Sequence, residues 1–205
     1  MGNEAEKLAK ESTSRKKGCN WCAEASLEVG KGSGYGIVIY RIGDANDGWF
    51  ATLSPKTGGD PKKDFTVQLM PCAHLTHFSQ MDSFPGLAEN YGIAFSKLSK
   101  AMTTVMMKEG SLKAEAAKRE EGAAIAAYGK STTWSEKKEH LHIKLFPFRG
   151  AIGQPYTVDS SFGKKESFRD SSDKEFVKME PVRKVMLAEE RFNKLAKELI
   201  ALLKE

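Results

Sequence analysis

Cysteine and histidine are scarce in this chain, at three and four of 205 residues. Three cysteines rule out a disulfide-stapled secreted scaffold, which needs several pairs to replace a core. No run approaches the roughly 18 uncharged apolar residues of a membrane span. The opening MGNEAEKLAKESTSRKKG has no apolar stretch of the signal-peptide kind. These absences point to a cytoplasmic protein with no membrane partner. Blocks of one charge are missing too. The net charge is +5, and the lysines lie scattered, with pairs at 16–17, 62–63, 137–138 and 164–165. The excess is compatible with an anionic partner, but it forms no basic tail. There are no internal repeats, and the length suits one domain with additions.

Against these absences, 40% hydrophobic and 29% charged residues describe a globular chain with a core. After a basic lead-in over 1–18, the β-branched and aromatic segment at about 34–42 reads as a strand. Gly32, Gly34 and Gly36 precede that strand instead of opening a helix, so they form no dinucleotide fingerprint. Further strands are predicted at Trp49–Ser54 and Phe65–Met70, the latter stopping at Pro71. Short connections between them imply antiparallel pairing, since parallel neighbours need long crossovers. After Pro85 the period changes. Leu87, Tyr91, Ala94, Phe95, Leu98, Met102, Val105 and Met106 recur at helical spacing over about 86–109. A polar, alanine-rich helix or insertion is expected over 112–128, then a strand over His140–Phe146 ending at Pro147. A loop-like stretch rich in Gly, Ser and charge follows. Phe192, Leu195, Ala196, Leu199, Leu202 and Leu203 then define one face of a final helix over 186–204. The expected architecture is α+β: an antiparallel meander of about five strands, a long helix packed on it and a C-terminal helical extension.

All four histidines fall in two short segments. His74 and His77 follow the third strand; His140 and His142 lie in the last one. Side chains alternate along a strand, so His140, His142 and Lys144 share one face while Leu141, Ile143 and Leu145 enter the core. Two imidazoles and an ammonium on one sheet face suit attack on phosphorus. A neutral imidazole is a nucleophile that can form a phosphoramidate, and a lysine can hold a phosphate oxygen as charge develops. Lys137 and Lys138, just upstream, are candidate substrate-binding residues. Cys19 and Cys22 form C-x-x-C, a spacing used for metal or redox chemistry. The redox reading wants a strand before the motif, and here the upstream segment is polar and basic. Zinc would need two further ligands from elsewhere.

In order, the chain shows Cys19-x-x-Cys22, Pro71-Cys-Ala-His74, a long helix, and His140-Leu-His142-Ile-Lys144-Leu-Phe-Pro147. This series resembles the histidine triad (HIT) superfamily of nucleotide hydrolases and transferases, and the resemblance covers about 19–148. It implies a HIT-like nucleotide-binding domain over 19–149, with 1–18 a lead-in and 150–205 an extension. It places His142 at the nucleophile, His140 at the first triad position and Lys144 at the third. In zinc-bearing members the corresponding ligands would be Cys19, Cys22, His74 and His140, a Cys₂His₂ set of the structural kind. Cys72 is either a substitute ligand or a small buried residue. The chain departs from the family pattern in several places, among them longer connections at 55–64 and 110–139 and a tail over 150–205 with no counterpart. Lys144 stands where the family has His or Gln, and a charged lysine cannot accept a hydrogen bond. Thr52, three before Pro55, stands where the family often has an acidic ribose contact.

The expected function is therefore hydrolysis or nucleotidyl transfer on a nucleoside phosphate through His142, with structural zinc. One alternative is a catalytically degenerate nucleotide- or RNA-binding module. Another is a zinc-stabilised interaction protein whose final helix forms a homodimer or docking element.

Overall fold

The protein is described from a computed structural model, covering residues 16–33, 36–58, 60–110, 122–128, 140–148, 165–169, 171–173, 175–179 and 185–204. A five-residue helix, α1 (Asn20–Glu24), leads into the strands β1 (Gly32–Ser33), β2 (Gly36–Ile42), β3 (Trp49–Leu53), β4 (Lys56–Thr57) and β5 (Val67–Pro71). A 3₁₀ turn at Phe78–Ser83 precedes the long helix α2 (Pro85–Lys108). Then come β6 (Gly122–Tyr128), β7 (His142–Phe148), β8 (Lys165–Arg169), β9 (Glu175–Met179), β10 (Val185–Met186) and helix α3 (Glu189–Leu203). Among the described residues, the main sheet has six strands in the order β1-β2-β3-β5-β7-β6, and every pairing is antiparallel. This is the expected α+β class with an antiparallel sheet.

The sheet's first face carries the large core. Trp49, Ala51 and Leu53 from β3, Val67 and Leu69 from β5, and Ile143 and Leu145 from β7 meet α2 and α3 there. Alternation along each strand dictates the set; a register shift in β2 between Val38 and Tyr40 lets Ile39 and Tyr40 both enter it. Of the predicted α2 stripe, Leu87, Ala94, Leu98, Met102, Val105 and Met106 are buried, Tyr91 and Phe95 are partly buried against the same core, and Ala101 joins them. Pro85 sits at the first turn of α2, where a missing N–H costs nothing. The Trp49 indole N–H donates to the Leu87 carbonyl at 2.8 Å, joining β3 to the start of α2.

The C-terminal helix belongs to this same core. Leu195, Ala196, Leu199 and Leu203 of α3 are buried in it, and two ion pairs fix α3 to the end of α2. Arg191 makes a two-pronged pair with Glu109, and Lys108 meets Glu198 at 3.1 Å. No helix among the described residues is long and apolar enough to cross a membrane.

Three expectations are corrected. The alanine-rich segment expected as a helix or insertion over 112–128 runs from Gly122 to Tyr128 as strand β6, paired along its whole length with β7. Alanine favours helix intrinsically, and seven register pairs with a buried neighbour outweigh that preference; residues 111–121 lie outside the described residues. The strand expected over His140–Phe146 and ending at Pro147 runs instead from His142 through Pro147 to Phe148. Its pairing with β5 ends at Leu145, so beyond that point β6 is the one strand paired with β7 among the described residues, an edge-like position where proline is tolerated. The stretch after residue 148 is not all loop: β8 and β9 form a hairpin, and β10 pairs with β4 ahead of α3.

Candidate metal centre and adjoining histidine

The sheet's second face is smaller and differently built. Phe50 from β3 and Met70 from β5 form an apolar patch with Ala25 and Cys72, and Trp21 packs against it. The turn carrying Cys19 and Cys22 thus lies on the face to which His142 and Lys144 point. Gly18, at φ +84°, takes the left-handed turn that brings the chain into Cys19. Cys19 then opens α1, its carbonyl accepting the Ala23 N–H at 3.2 Å. Arg41 of β2 holds the far end of the turn, donating to the carbonyls of Ala25 at 2.6 Å and Leu27 at 2.8 Å.

His74 and His140 reach the same point because their segments run side by side. The Leu141 N–H donates to the Leu75 carbonyl at 2.7 Å, one residue beyond each histidine. The four predicted ligands, Cys19, Cys22, His74 and His140, converge, with all ligand atoms within 4.8 Å of one another. His140 Nδ1 lies 3.5 Å from Cys19 Sγ and 3.6 Å from Cys22 Sγ, and His74 Nδ1 lies 3.3 Å from Cys22 Sγ. A tetrahedral zinc with bonds of about 2.3 Å to sulfur and 2.0–2.1 Å to nitrogen sets S and N about 3.6 Å apart. The observed separations are close to the edges of such a tetrahedron, so the donor set fits a metal of this type.

The surroundings favour ligation. The His140 Nε2–H donates to the Pro71 carbonyl at 2.9 Å, which fixes the tautomer and aims Nδ1 at the cysteines. Burial lowers the His140 pKa to about 4, with the neighbouring His74 and His142 adding to the effect against the Pro71 bond. Burial, and then the charge of Lys16, lowers His74 as well. Both rings are therefore neutral near pH 7, the form that binds metal. With both ring nitrogens engaged, His140 contributes its side chain to the cluster and its carbonyl to the next histidine.

That carbonyl accepts from His142 Nδ1 at 3.0 Å. A carbonyl can only accept, so the proton sits on Nδ1 and the lone pair of the neutral ring lies on Nε2. The His142 ring is half-buried and stacks on the Trp21 indole, centroids 5.7 Å apart and planes inclined by 20°. Lys144 is 6% exposed and stands opposite Gln68 of β5, which in turn stands opposite Thr52 of β3. Thr52 Oγ1 and Gln68 Oε1 are buried without a hydrogen-bond partner.

The predicted residues thus divide. His142 and Lys144 share a face as alternation along β7 requires, His140, just ahead of the strand, meets the cysteines on that side, and Lys137 and Lys138 lie outside the described residues. Cys72 is not part of the cluster; it is buried in the apolar patch, its sulfur 3.8 Å from Arg41 Nη2. His77 lies apart and caps the 3₁₀ turn together with Gln80. Sequence reasoning missed Trp21, although an aromatic between two candidate ligands was a usable signal. It also missed Gln68, whose place beside Lys144 depends on long-range register.

Fold and site together define an antiparallel α+β protein with a largely buried Cys₂His₂ cluster beside an oriented histidine. Among known proteins, no family model, no curated protein and no solved structure matches the chain.

Proposed function

We propose that the protein is a HIT-like enzyme that cleaves or transfers a nucleoside phosphoryl group through His142, with zinc held by Cys19, Cys22, His74 and His140. The observation that carries the reading is the hydrogen bond from His142 Nδ1 to the His140 carbonyl. It leaves the nucleophilic lone pair on Nε2, on a sheet face with a buried lysine two residues away. In the reaction, Nε2 attacks phosphorus, an N–P bond forms, and the leaving group departs with the electron pair of the bond it loses. Water or another acceptor then attacks the phosphoramidate, and the His142 ring leaves as a neutral imidazole. Zinc, when bound, would supply structure here, since four protein ligands leave no open position. The orphaned oxygens of Thr52 and Gln68 support a polar ligand on this face. A buried hydrogen-bonding atom left without a partner costs about 1–3 kcal/mol, and ligand hydroxyls or bound water would recover it.

The test is a trapping experiment with radiolabelled adenosine 5′-phosphoramidate and a dinucleoside polyphosphate. The expected product is an acid-labile, base-stable adduct on His142, absent in His142→Ala. Turnover without an adduct, or an adduct that persists in the variant, would refute the assignment.

Lys144 favours a second reading, in which the site binds nucleotide or RNA without turnover. A charged lysine at this position binds phosphate but relays no proton. Under that reading, equilibrium binding survives His142→Ala and no adduct forms in either protein.

A further inference from the structure

The cluster and His142 are joined twice over. His140 places its Nδ1 among the cysteines while its carbonyl accepts the His142 Nδ1–H at 3.0 Å. Trp21 sits between the two cysteine ligands, and its indole covers one face of the His142 ring. The imidazole is thus held at one edge nitrogen by the backbone of one ligand residue and on one face by a side chain from the ligand turn. A single hydrogen bond leaves a ring able to rock about it; a flat aromatic surface against the ring limits that motion.

From this geometry we propose that metal binding positions His142, with Trp21 as the positioning residue that transmits it. The inference rests on the metal and nucleophile readings above. When the cluster is filled, Cys19 and Cys22 are fixed relative to His74 and His140, and the indole between them lies against His142. When the metal leaves, the cysteines lose that constraint. Arg41 still holds the far end of the turn through the Ala25 and Leu27 carbonyls, so the near end carrying Trp21 is the part that moves. Trp21 acts through His142 and is assigned no contact with substrate. Gly18, at φ +84° just before Cys19, marks where the chain turns into this segment.

The experiment uses the full chain labelled with 5-fluorotryptophan and loaded with zinc, read by fluorine NMR. Three tryptophans, Trp21, Trp49 and Trp134, give three lines, and Trp21→Phe identifies the first by its loss. Chelating the zinc should shift the Trp21 line, as should His142→Ala in the loaded protein, which removes the stacked ring. The Trp49 line, from a residue buried in the large core, should stay in place as the folding control. In the loaded protein, Trp21→Ala should raise the rate of His142 carbethoxylation about tenfold, the upper end of what one aromatic contact supplies. Trp21→Phe should restore a rate near that of the unaltered protein, because a phenyl ring still covers the imidazole.

A Trp21 line unmoved by chelation overturns the proposal, as does a His142 rate equal in Trp21→Ala and the unaltered chain. A protein that takes up no zinc overturns it as well, without touching the phosphoryl-transfer reading. Should chelation also move the Trp49 line, the loaded Trp21→Ala and Trp21→Phe pair decides, since that comparison needs no metal removal. None of these readouts depends on turnover, so failure to find a nucleotide substrate leaves the positioning claim to be judged separately.

Discussion

Removing zinc from the loaded protein, or replacing Cys22 by serine, should loosen residues 19–25 while the large core stays folded. In a zinc finger, metal and folding are one event because little else is buried. Here the main core is built from α2, α3 and the first face of the sheet, and none of the four ligands belongs to it. The cluster instead fastens α1 to the second face, alongside the Arg41 hydrogen bonds and the patch of Ala25, Phe50, Met70 and Cys72. A ligand that binds the folded state alone adds about 2.7 kcal/mol at 100 times its Kd. For a chain of this size, each kcal/mol moves the melting temperature by about 2–4 °C. Chelation should therefore lower Tm by roughly 5–10 °C. Calorimetry with and without chelator measures that shift. Amide exchange locates it: protection should fall at Ala23 and Ala25, whose N–H groups close the α1 turns, and persist in β3, β5 and α2. Equal melting temperatures, or equal exchange in α1 with and without metal, would refute the reasoning.

Two further predictions concern charge. Metal-free protein should lose stability on acidification through His140, whose pKa burial lowers from 6.5 to about 4. Between those values the unfolded chain takes a proton that the folded chain refuses. The contribution is therefore intact above about pH 6.5, falls as the pH drops through this window and is gone below about 4, roughly 3 kcal/mol in all. Urea unfolding across that range, measured against His140→Asn, checks the slope; identical profiles would count against it. At the other end of the molecule, Arg191 and Glu109 pair with side chains 18% and 16% exposed. Glu109→Gln should cost about 1.5–3 kcal/mol, and a double-mutant cycle with Arg191→Met separates the pair from the desolvation of each partner. A coupling energy near zero would show that the pair contributes nothing.

The chain order of the motifs made much of the candidate site legible in advance. Pro71, His74, His140 and His142 are local signals, and strand alternation alone puts His142 and Lys144 opposite Leu141 and Ile143. The stripe on α2 was legible for a similar reason, since a period of 3.6 is printed in the residues themselves. What failed were segments whose state is decided by a distant neighbour. Residues 122–128, GAAIAAY, carry no alternation of polarity, and only pairing with β7 makes them a strand. Pro147 looked like a terminator because the sequence does not reveal that β7 has already lost β5 as a neighbour there. Trp21 belongs to the same class. Helical geometry says which way it leaves α1, but its meeting with His142 depends on α1 lying across the second face of the sheet.

Lys144 is where the sequence and the structure bear most directly on each other. Against the resembled motif it is an anomaly, a lysine in place of a residue that could accept a hydrogen bond. In the fold it is the end of a polar row, Thr52, Gln68 and Lys144, that crosses β3, β5 and β7 on the His142 face. Burying polar atoms costs free energy unless hydrogen bonds repay it, and two oxygens of this row have no such partner. A row chosen for stability would be apolar at these positions, as its neighbours Phe50 and Met70 are. Under the proposed function, the polar choice is explained by what the face binds and not by how it folds. Replacing Gln68 by leucine separates the two explanations: a stabilised protein with weaker nucleotide binding supports the first, and a destabilised one with unchanged binding supports the second.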